Sequence, residues 1–398
     1  MTVNSYLVYV LNKTYFKTLG VIPILTNNEW KVKISKPYDH MKIKEIDLLN
    51  NIIQSSGRPH KLPTIKDVAK LSGVSASLVS RYLNNDITLS IKPETKERII
   101  KAVKELNYKP NTIARALRSN TMRNIAVLVS DIANPFFAEV FIGAQEAAHK
   151  NEYTLTLYNT GENADKERDF IDMIARGLSD GVLLTSAYIE NTTIEAIERI
   201  GLKYILVSRN SKTHNGIFVT SDDNKGIKLA VSHLYENGHR RIAHISGPLH
   251  TTCGLTRLEA FRESIVSYGL ECPSGYVMES EFNEEAGKKA MKIILSLPNL
   301  PTAVVAGNDL IAIGAVSAVH EAGYKVPDNI SVVGFDDIKM VRYMTPPLTT
   351  ISYDKVFLGY SAASLLIDSI NSRFTCEKVR VIDVSLIERS SVKRLDTL

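Results

Sequence analysis

The chain has 398 residues, and a chain of this length is expected to form about two to three domains. Its hydrophobic fraction of 44% and charged fraction of 23% exclude a largely disordered or fibrous protein. Its charge is unevenly distributed: residues 1–60 carry a net +4, residues 61–120 a net +7 and the remainder a net −6. A basic N-terminal part joined to an acidic remainder predicts a polyanionic partner for the N-terminal part only.

Cysteine usage and hydropathy bear on the compartment. Cys253, Cys272 and Cys376 are odd in number and lack metal-ligand spacing, which favours a reducing, cytoplasmic compartment. No apolar run approaches the roughly 20 residues that a membrane span needs. The N-terminus lacks the basic residues and the small-residue cleavage site of a signal peptide, so we expect neither secretion nor a membrane partner.

Residues 1–60 contain no recognisable chemistry. An alternating pattern predicts a strand at 30–34, apolar residues allow a helix at 43–53, and 55–60 is typical of a linker. We interpret this part as an N-terminal extension of unknown role. It is either a small accessory element or the product of a start codon placed too early, with Met41 as one internal alternative.

Residues 64–108 are predicted to form three short helices. Thr64 with Asp67 has the spacing of a capping box, and Gly73 allows the turn that ends the first helix. Ser75 caps a second helix at 76 to about 84, and Pro93 begins a third that ends near 106. Two helices joined by a short glycine-containing turn predict a helix-turn-helix whose second helix enters the DNA major groove.

From residue 122 onward, short apolar runs alternate with amphipathic helices. The runs lie at 125–129, 153–157, 181–184, 204–207, 242–245, 303–306 and 330–333. Such βαβα alternation predicts parallel sheets covered by helices, and the length of this part favours two subdomains.

Four short segments resemble the DNA-binding head of the LacI/GalR family of bacterial transcription regulators. They are Thr64-Ile65-Lys66-Asp67-Val68-Ala69, Gly73-Val74-Ser75, Val79-Ser80-Arg81 and Leu106-Asn107-Tyr108-Lys109-Pro110-Asn111. The resemblance extends from about residue 63 to 393 and leaves the extension uncovered. It implies an α/β protein with an N-terminal all-α helix-turn-helix head and a periplasmic-binding-protein-like body of two subdomains with parallel sheets. The implied boundaries are 61–110 for the head, 111–121 for a hinge helix, 122–222 with 328–352 for the first subdomain, and 223–327 with 353–398 for the second.

The resemblance also implies which residues contact DNA. Ala76 and Ser77 begin the recognition helix, Arg81 on the same helix faces DNA, and Leu117 of the hinge helix wedges into the minor groove. A guanidinium suits guanine O6 and N7 or a phosphate, and an apolar wedge kinks the duplex. Leu78 departs from the usual threonine and is either a DNA-facing or a core residue, and the loop 85–92 is longer than usual. The full implied set is Thr64, Ser75, Ala76, Ser77, Ser80, Arg81, Asn84, Tyr108, Asn111, Ala114, Arg115, Leu117 and Arg118.

For the body, the resemblance implies a small-molecule effector between the subdomains. Asn134-Pro135-Phe136-Phe137 resembles the ribose-type binding proteins, whose phenyl rings pack on the sugar, and Phe282 matches an aromatic residue of the other subdomain. Charged side chains in such a site would each form two hydrogen bonds to hydroxyls of the sugar. Asp222 is a weaker candidate that could cap a helix instead. The implied contacts are Asn134, Phe136, Phe137, Arg209, Arg257, Phe282 and Asp309.

Two clusters could suggest a metal site. His233, His239, His244 and His250 lie within 18 residues, but they span a helix end, a turn and a strand, so their side chains should diverge. The adjacent pairs Asp222-Asp223 and Asp336-Asp337 should point apart on strand ends, where helix capping is the simpler role. We therefore expect no metal.

Together these features predict a sugar-responsive repressor that binds a palindromic double-stranded operator as a homodimer. Arg209, Phe136 and Asp309 favour a monosaccharide over a purine. The alternatives within the family are a purine- or nucleoside-responsive repressor and a catabolite-control regulator gated by a phosphocarrier protein. A plain sugar-binding or transport protein is disfavoured by the basic head. An enzyme is not expected, because the sequence has no phosphate loop, nucleophile elbow or HExxH motif, and we expect no cofactor.

Overall fold

The computed structural model describes residues 21–26, 29–34, 63–84, 86, 88–109, 121–189, 192–211, 216–372 and 379–395. The chain separates into two compact units, Met1–Asn111 and Thr112–Leu398. Among the described residues, no helix is both long and apolar enough to cross a lipid bilayer.

The N-terminal extension contains two strands, β1 (Val21–Thr26) and β2 (Glu29–Ile34). They pair antiparallel, with Val21 opposite Ile34. The strand predicted at 30–34 is therefore confirmed. The helix predicted at 43–53 lies outside the described residues.

The head consists of three helices, α1 (Ile65–Ser72), α2 (Ala76–Leu83) and α3 (Pro93–Glu105). Each begins where its sequence signal predicts. The backbone N–H and the hydroxyl of Thr64 donate to Asp67 Oδ2 at 2.8 and 2.7 Å, and Ser75 Oγ accepts from Leu78 N at 3.2 Å. Gly73 has φ +68°, a left-handed turn that ends α1. The buried core of the head contains Val68, Ala69, Val79, Ile99, Ala102 and Tyr108.

The body contains two six-stranded sheets. Its strands are β3 (Asn124–Val129), β4 (Thr154–Asn159), β5 (Gly181–Leu184), β6 (Lys203–Val207), β7 (Phe218–Ser221), β8 (Ile242–Ser246), β9 (Val277–Glu279), β10 (Ala303–Ala306), β11 (Ser331–Phe335), β12 (Thr349–Ser352), β13 (Val379–Ile382) and β14 (Ser385–Ile387). Its helices are α4 (Pro135–Lys150), α5 (Ala164–Ala175), α6 (Thr192–Arg199), α7 (Asp223–Glu236), α8 (Thr252–Ser267), α9 (Glu284–Leu295), α10 (Asp309–Glu321) and α11 (Lys355–Ile370), with a 3₁₀ turn at Lys339–Tyr343.

The strand order is β13-β7-β6-β5-β3-β4 in the first sheet and β14-β12-β11-β10-β8-β9 in the second. All the pairings are parallel except that of β12 with β14. The central strands are apolar and buried along their length, as expected for sheets covered by helices on both faces. The α/β class with parallel sheets is therefore confirmed.

The predicted division between the subdomains needs a correction. Residues 328–352 were expected in the first subdomain, but β11 and β12 extend the second sheet from β10. Conversely, α11 packs on α4 and β13 pairs with β7, so these elements belong to the first subdomain, although 353–398 was assigned to the second. The chain thus crosses between the subdomains near residues 222, 353 and 383.

Candidate functional site

The helix α2, its two caps and the cap of α1 present several of the predicted DNA contacts at the surface of the head. Thr64, Ser75, Ser77, Arg81 and Asn84 are exposed, and Ala76 is half-buried. The other head residues of the set, Ser80 and Tyr108, are buried, and Tyr108 packs into the head core. The remaining predicted contacts lie outside the described residues: Asn111, Ala114, Arg115, Leu117 and Arg118.

Arg81 is already engaged within the head. Its Nε donates to Asp86 Oδ2 at 2.7 Å, and its Nη2 donates to Thr88 Oγ1 at 2.9 Å. Leu78, the residue that departs from the family pattern, is half-buried. The exposed arginine on the second helix nevertheless remains the strongest base-reading candidate in the head.

In the body, a cavity of about 270 Å³ lies where the carboxyl ends of the strands of both sheets meet. This is the place where open α/β sheets bind ligands. It is lined by Ser130, Asp131, Asn134, Phe136, Phe137, Glu162, Ser208, Arg209, Cys253, Arg257, Glu281, Phe282, Asn283, Asn308 and Asp336. Six of the seven predicted effector residues are therefore brought together.

Three phenyl rings form the apolar part of the cavity wall. Phe136 and Phe137 begin α4, behind the cap Asn134, and their ring centroids lie 5.0 Å apart in an edge-to-face arrangement. Phe282 comes from the second subdomain and packs against Gly247, where a Cβ atom would lie 2.1 Å from the ring. Rings from both subdomains can therefore contact one ligand.

Arg209 and Glu162 form a bidentate ion pair at the first subdomain's side of the cavity. The two bonds measure 2.9 and 3.2 Å, and Tyr188 Oη donates to the same carboxylate at 3.1 Å. Burial alone would raise the pKa of Glu162, but the charge and hydrogen bonds of Arg209 lower it below its usual value. Both members of the pair are therefore charged.

Arg257 lies in a buried network on the opposite side. Its Nε and Nη2 donate to Asp223 Oδ1 at 3.1 and 2.8 Å, and its Nη1 donates to the carbonyl of Gly307 at 2.6 Å. Asp336 Oδ1 lies 3.9 Å from Nη2 and accepts from Tyr353 Oη at 3.0 Å. Burial raises the pKa of Asp336 to about 6, although Arg257 and Lys355 oppose the shift.

The structure does not bring Asp309 to the cavity wall, and its role as an effector contact stays a prediction. This residue is fully buried, and its carboxylate accepts from the backbone N–H of Ile338 at 2.8 Å and from Thr350 Oγ1 at 2.6 Å. It does not border the cavity, whose wall contains Asn308 and Asp336 instead. Both residues follow the end of a strand, and this position in the sequence could have predicted them as cavity residues.

Asp222 caps α7 by accepting from Lys225 N at 2.9 Å, the second of the two roles considered for it.

Three residues of the cavity wall have a strained backbone conformation. Glu162, Ser208 and Asp336 have φ values of +54°, +66° and +110°, in the region that non-glycine residues rarely adopt. All three line the cavity. Such conformations cost about 1–3 kcal/mol each and cluster at functional sites, where the surrounding structure enforces them.

The buried histidines have structural partners. His239 contacts Thr302 Oγ1 at 2.9 Å and the carbonyl of Lys393 at 3.0 Å, while His244 contacts the carbonyl of Val305 at 2.9 Å. Burial lowers the pKa of each to about 4, so both rings are neutral near pH 7. Within the described part of the chain, no group of three or more His, Cys, Asp or Glu residues could hold a metal ion.

Comparison with known proteins identifies this combination of head and body. Residues 64–111 match the model of the bacterial regulatory proteins of the lacI family, and 231–392 match that of the periplasmic binding protein-like domain. The HTH-type transcriptional repressor PurR of Histophilus somni is 36% identical over 335 residues, which is 84% of this chain and 100% of that protein. The chain belongs to the LacI family. It is accordingly a DNA-binding repressor rather than an enzyme.

Solved LacI-family structures agree with this assignment. The regulator CelR in complex with cellobiose is 29% identical, with a TM-score of 0.64, and the match covers 83% of this chain and 99% of that one. The lac repressor dimer bound to operator and the anti-inducer ONPF, at 24% identity and a TM-score of 0.75, covers 84% of this chain and 100% of that one. The latter likeness concerns the fold alone.

Proposed function

We propose that this LacI-family repressor is controlled by an uncharged purine base or nucleoside bound in the cavity between its subdomains. The observation that carries the proposal is a cavity with three phenyl rings at its wall and charged hydrogen-bonding groups between them. A flat heteroaromatic ring can stack on the phenyl rings, while the polar groups at its edge form hydrogen bonds with the charged side chains. The expectation of a monosaccharide rested partly on Asp309, which does not border the cavity.

The charges of the cavity favour an uncharged ligand. Arg209 is neutralised by Glu162, and Arg257 by Asp223 with Asp336 nearby. Asp131 and Glu281 add negative charge to the wall. A nucleotide or a sugar phosphate would be repelled by this excess of negative charge. Since the arginines of the cavity wall are already paired with carboxylates, the desolvation of such an anion would not be compensated.

The relatives favour the purine class. Repressors named PurR, a name that refers to purines, match this chain over their whole length at 36% and 33% identity. A sugar is the second candidate, because CelR has been solved with cellobiose. Asn308 and Asp336 could equally well bond to a pair of sugar hydroxyls.

We further propose that two copies of the chain bind one palindromic operator. In this arrangement two recognition helices enter successive major grooves, as in other dimeric helix-turn-helix proteins.

The hinge segment would contribute Leu117 as the minor-groove wedge. Leu117→Ala is then expected to weaken specific binding far more than non-specific binding, because only specific binding requires the kink. Equal losses in a gel-shift titration would contradict this role.

A ligand panel tests the effector. Isothermal titration calorimetry would compare purine bases and nucleosides with ribose, glucose, cellobiose and a purine nucleotide. We expect a purine base or nucleoside to bind and the nucleotide to bind much more weakly. Binding of a sugar alone would favour the second candidate, and tight binding of the nucleotide would contradict the charge argument.

A further inference from the structure

The recognition helix holds its arginine in a fixed position. The side chain of Arg81 lies in the last turn of α2 and is 45% exposed, yet it makes two directed bonds. Nε donates to Asp86 Oδ2 at 2.7 Å and Nη2 to Thr88 Oγ1 at 2.9 Å. An exposed arginine side chain usually samples many rotamers, and these bonds restrict it.

Asp86 and Thr88 are themselves tied together. The hydroxyl and the backbone N–H of Thr88 both donate to Asp86 Oδ1, at 2.7 and 2.9 Å. The backbone N–H of Asp86 donates to the carbonyl of Arg81 at 3.1 Å. The bonds from Thr88 and Arg81 lower the pKa of Asp86 to about 2, so its carboxylate is ionised at any physiological pH. We name Asp86 and Thr88 the buttress.

The buttress leaves part of the guanidinium available. Arg81 has five N–H groups, and the two bonds use those of its Nε side. Within the described residues, these two bonds leave Nη1 and the second proton of Nη2 to meet another acceptor. This end of a guanidinium can form two parallel bonds to guanine O6 and N7.

We propose that the buttress is a specificity-determining element that positions Arg81 for guanine in the operator without touching a base itself. The proposal rests on the proposed DNA contact of α2. A guanidinium that is already oriented loses less conformational freedom when it binds. The negative charge of Asp86 at the same time repels phosphates, which weakens binding to any DNA sequence. Only the first effect raises the ratio of specific to non-specific affinity, because phosphate repulsion weakens both affinities equally.

The experiment compares variants on two duplexes. One is an operator obtained by in vitro selection with the wild-type protein, and the other is its scrambled sequence, both measured by fluorescence anisotropy at one salt concentration. Asp86→Asn removes the charge and keeps the shape, and Thr88→Val removes only the hydroxyl. Glu97→Gln, an exposed acid on α3 of the same head, is the matched control for charge.

We expect Asp86→Asn to lower the ratio of specific to non-specific affinity by about tenfold. This is within the range of discrimination that one bidentate base contact provides. Thr88→Val should lower the ratio by a few-fold without changing charge, and Glu97→Gln should leave it unchanged. In an Arg81→Ala background, Asp86→Asn should no longer change the ratio, because there is no arginine to position. If Asp86 had only a general structural role, Asp86→Asn would still change the ratio in that background.

Two results would overturn the inference. Asp86→Asn could tighten binding to both duplexes equally, in which case Asp86 only repels phosphate. Alternatively, both buttress variants could leave the ratio at its wild-type value, in which case Arg81 needs no positioning. In either case the wild type still prefers its operator and the repressor proposal survives. If selection yields no preferred sequence, the DNA contact of α2 fails, and the buttress proposal fails with it.

Discussion

Asp309 and Asp336 both follow strands of the second sheet, but only Asp336 borders the cavity. Asp336→Asn is expected to weaken effector binding while the protein stays folded. Asp309→Ala would leave the Ile338 N–H and the Thr350 hydroxyl without their buried acceptor. The loss should be about 2–5 kcal/mol in the free energy of unfolding. Urea unfolding and ligand titration of both variants separate the two roles, and an unfolded Asp336→Asn with a stable Asp309→Ala would reverse them.

The raised pKa of Asp336 predicts how effector affinity depends on pH. An effector N–H or O–H that donates to this carboxylate favours its ionised form, so the affinity should rise by about tenfold from pH 5 to pH 7. Burial raises this pKa and the charge of Asp223 adds to the rise, while Arg257, Lys355 and the hydrogen bond from Tyr353 oppose it. In the ligand-free protein the sign is opposite: the contribution of Asp336 to stability is greatest below pH 3.8 and is lost as the pH rises through about 6.

Calorimetric titrations across this pH range check the prediction. Asp336→Asn is the control, since the amide does not titrate and should flatten the dependence. An affinity that falls between pH 5 and pH 7 in the wild type would mean that the effector binds the protonated carboxyl as an acceptor.

At the scale of elements, the packing of α4 against α11 positions Phe136 and Phe137 at the cavity. The helices approach so closely that a Cβ atom on Gly143 would lie 1.8 Å from the carbonyl oxygen of Val356, and one on Gly359 would lie 1.9 Å from that of Val140. Gly143→Ala should therefore force the helices apart, at a cost of about 1–3 kcal/mol. Effector affinity should fall as well, because Phe136 and Phe137 begin α4.

Thermal and urea unfolding of Gly143→Ala would measure this cost. Ala138→Ser, an exposed position on the same helix, provides the control. Unchanged stability and effector affinity in Gly143→Ala would show that the contact between the two helices yields easily.

The elements also show what could be predicted from the sequence. The apolar runs predicted the strands β3, β4, β5, β6, β8, β10 and β11, because buried parallel strands are continuous in hydrophobicity. The sequence does not predict the shorter strands β7, β9 and β12 to β14. The predicted chain crossings are also misplaced, since an apolar run does not reveal which sheet it joins. The same limit explains Asp309, whose role depends on a backbone N–H supplied by residue 338.

At the scale of the whole molecule, charge is segregated between the parts of the chain. Residues 61–120 carry a net +7 and residues 121–398 a net −6. DNA binding should therefore depend on the basic part and weaken steeply with salt, as each phosphate contact releases counterions. A plot of log Kd against log salt concentration should give a slope that corresponds to several contacts. A flat plot would contradict a phosphate-dominated interface.

Occupancy of the cavity is expected to control operator binding. The decisive measurement is the operator Kd of the wild type and of Asp336→Asn, with and without the ligand found in the panel. Linkage requires the ligand to change operator affinity by the same factor as the operator changes ligand affinity. We expect a change of at least tenfold, in either direction, for the wild type and a much smaller change for Asp336→Asn at the same ligand concentration. An operator Kd that stays the same at saturating ligand would contradict this expectation.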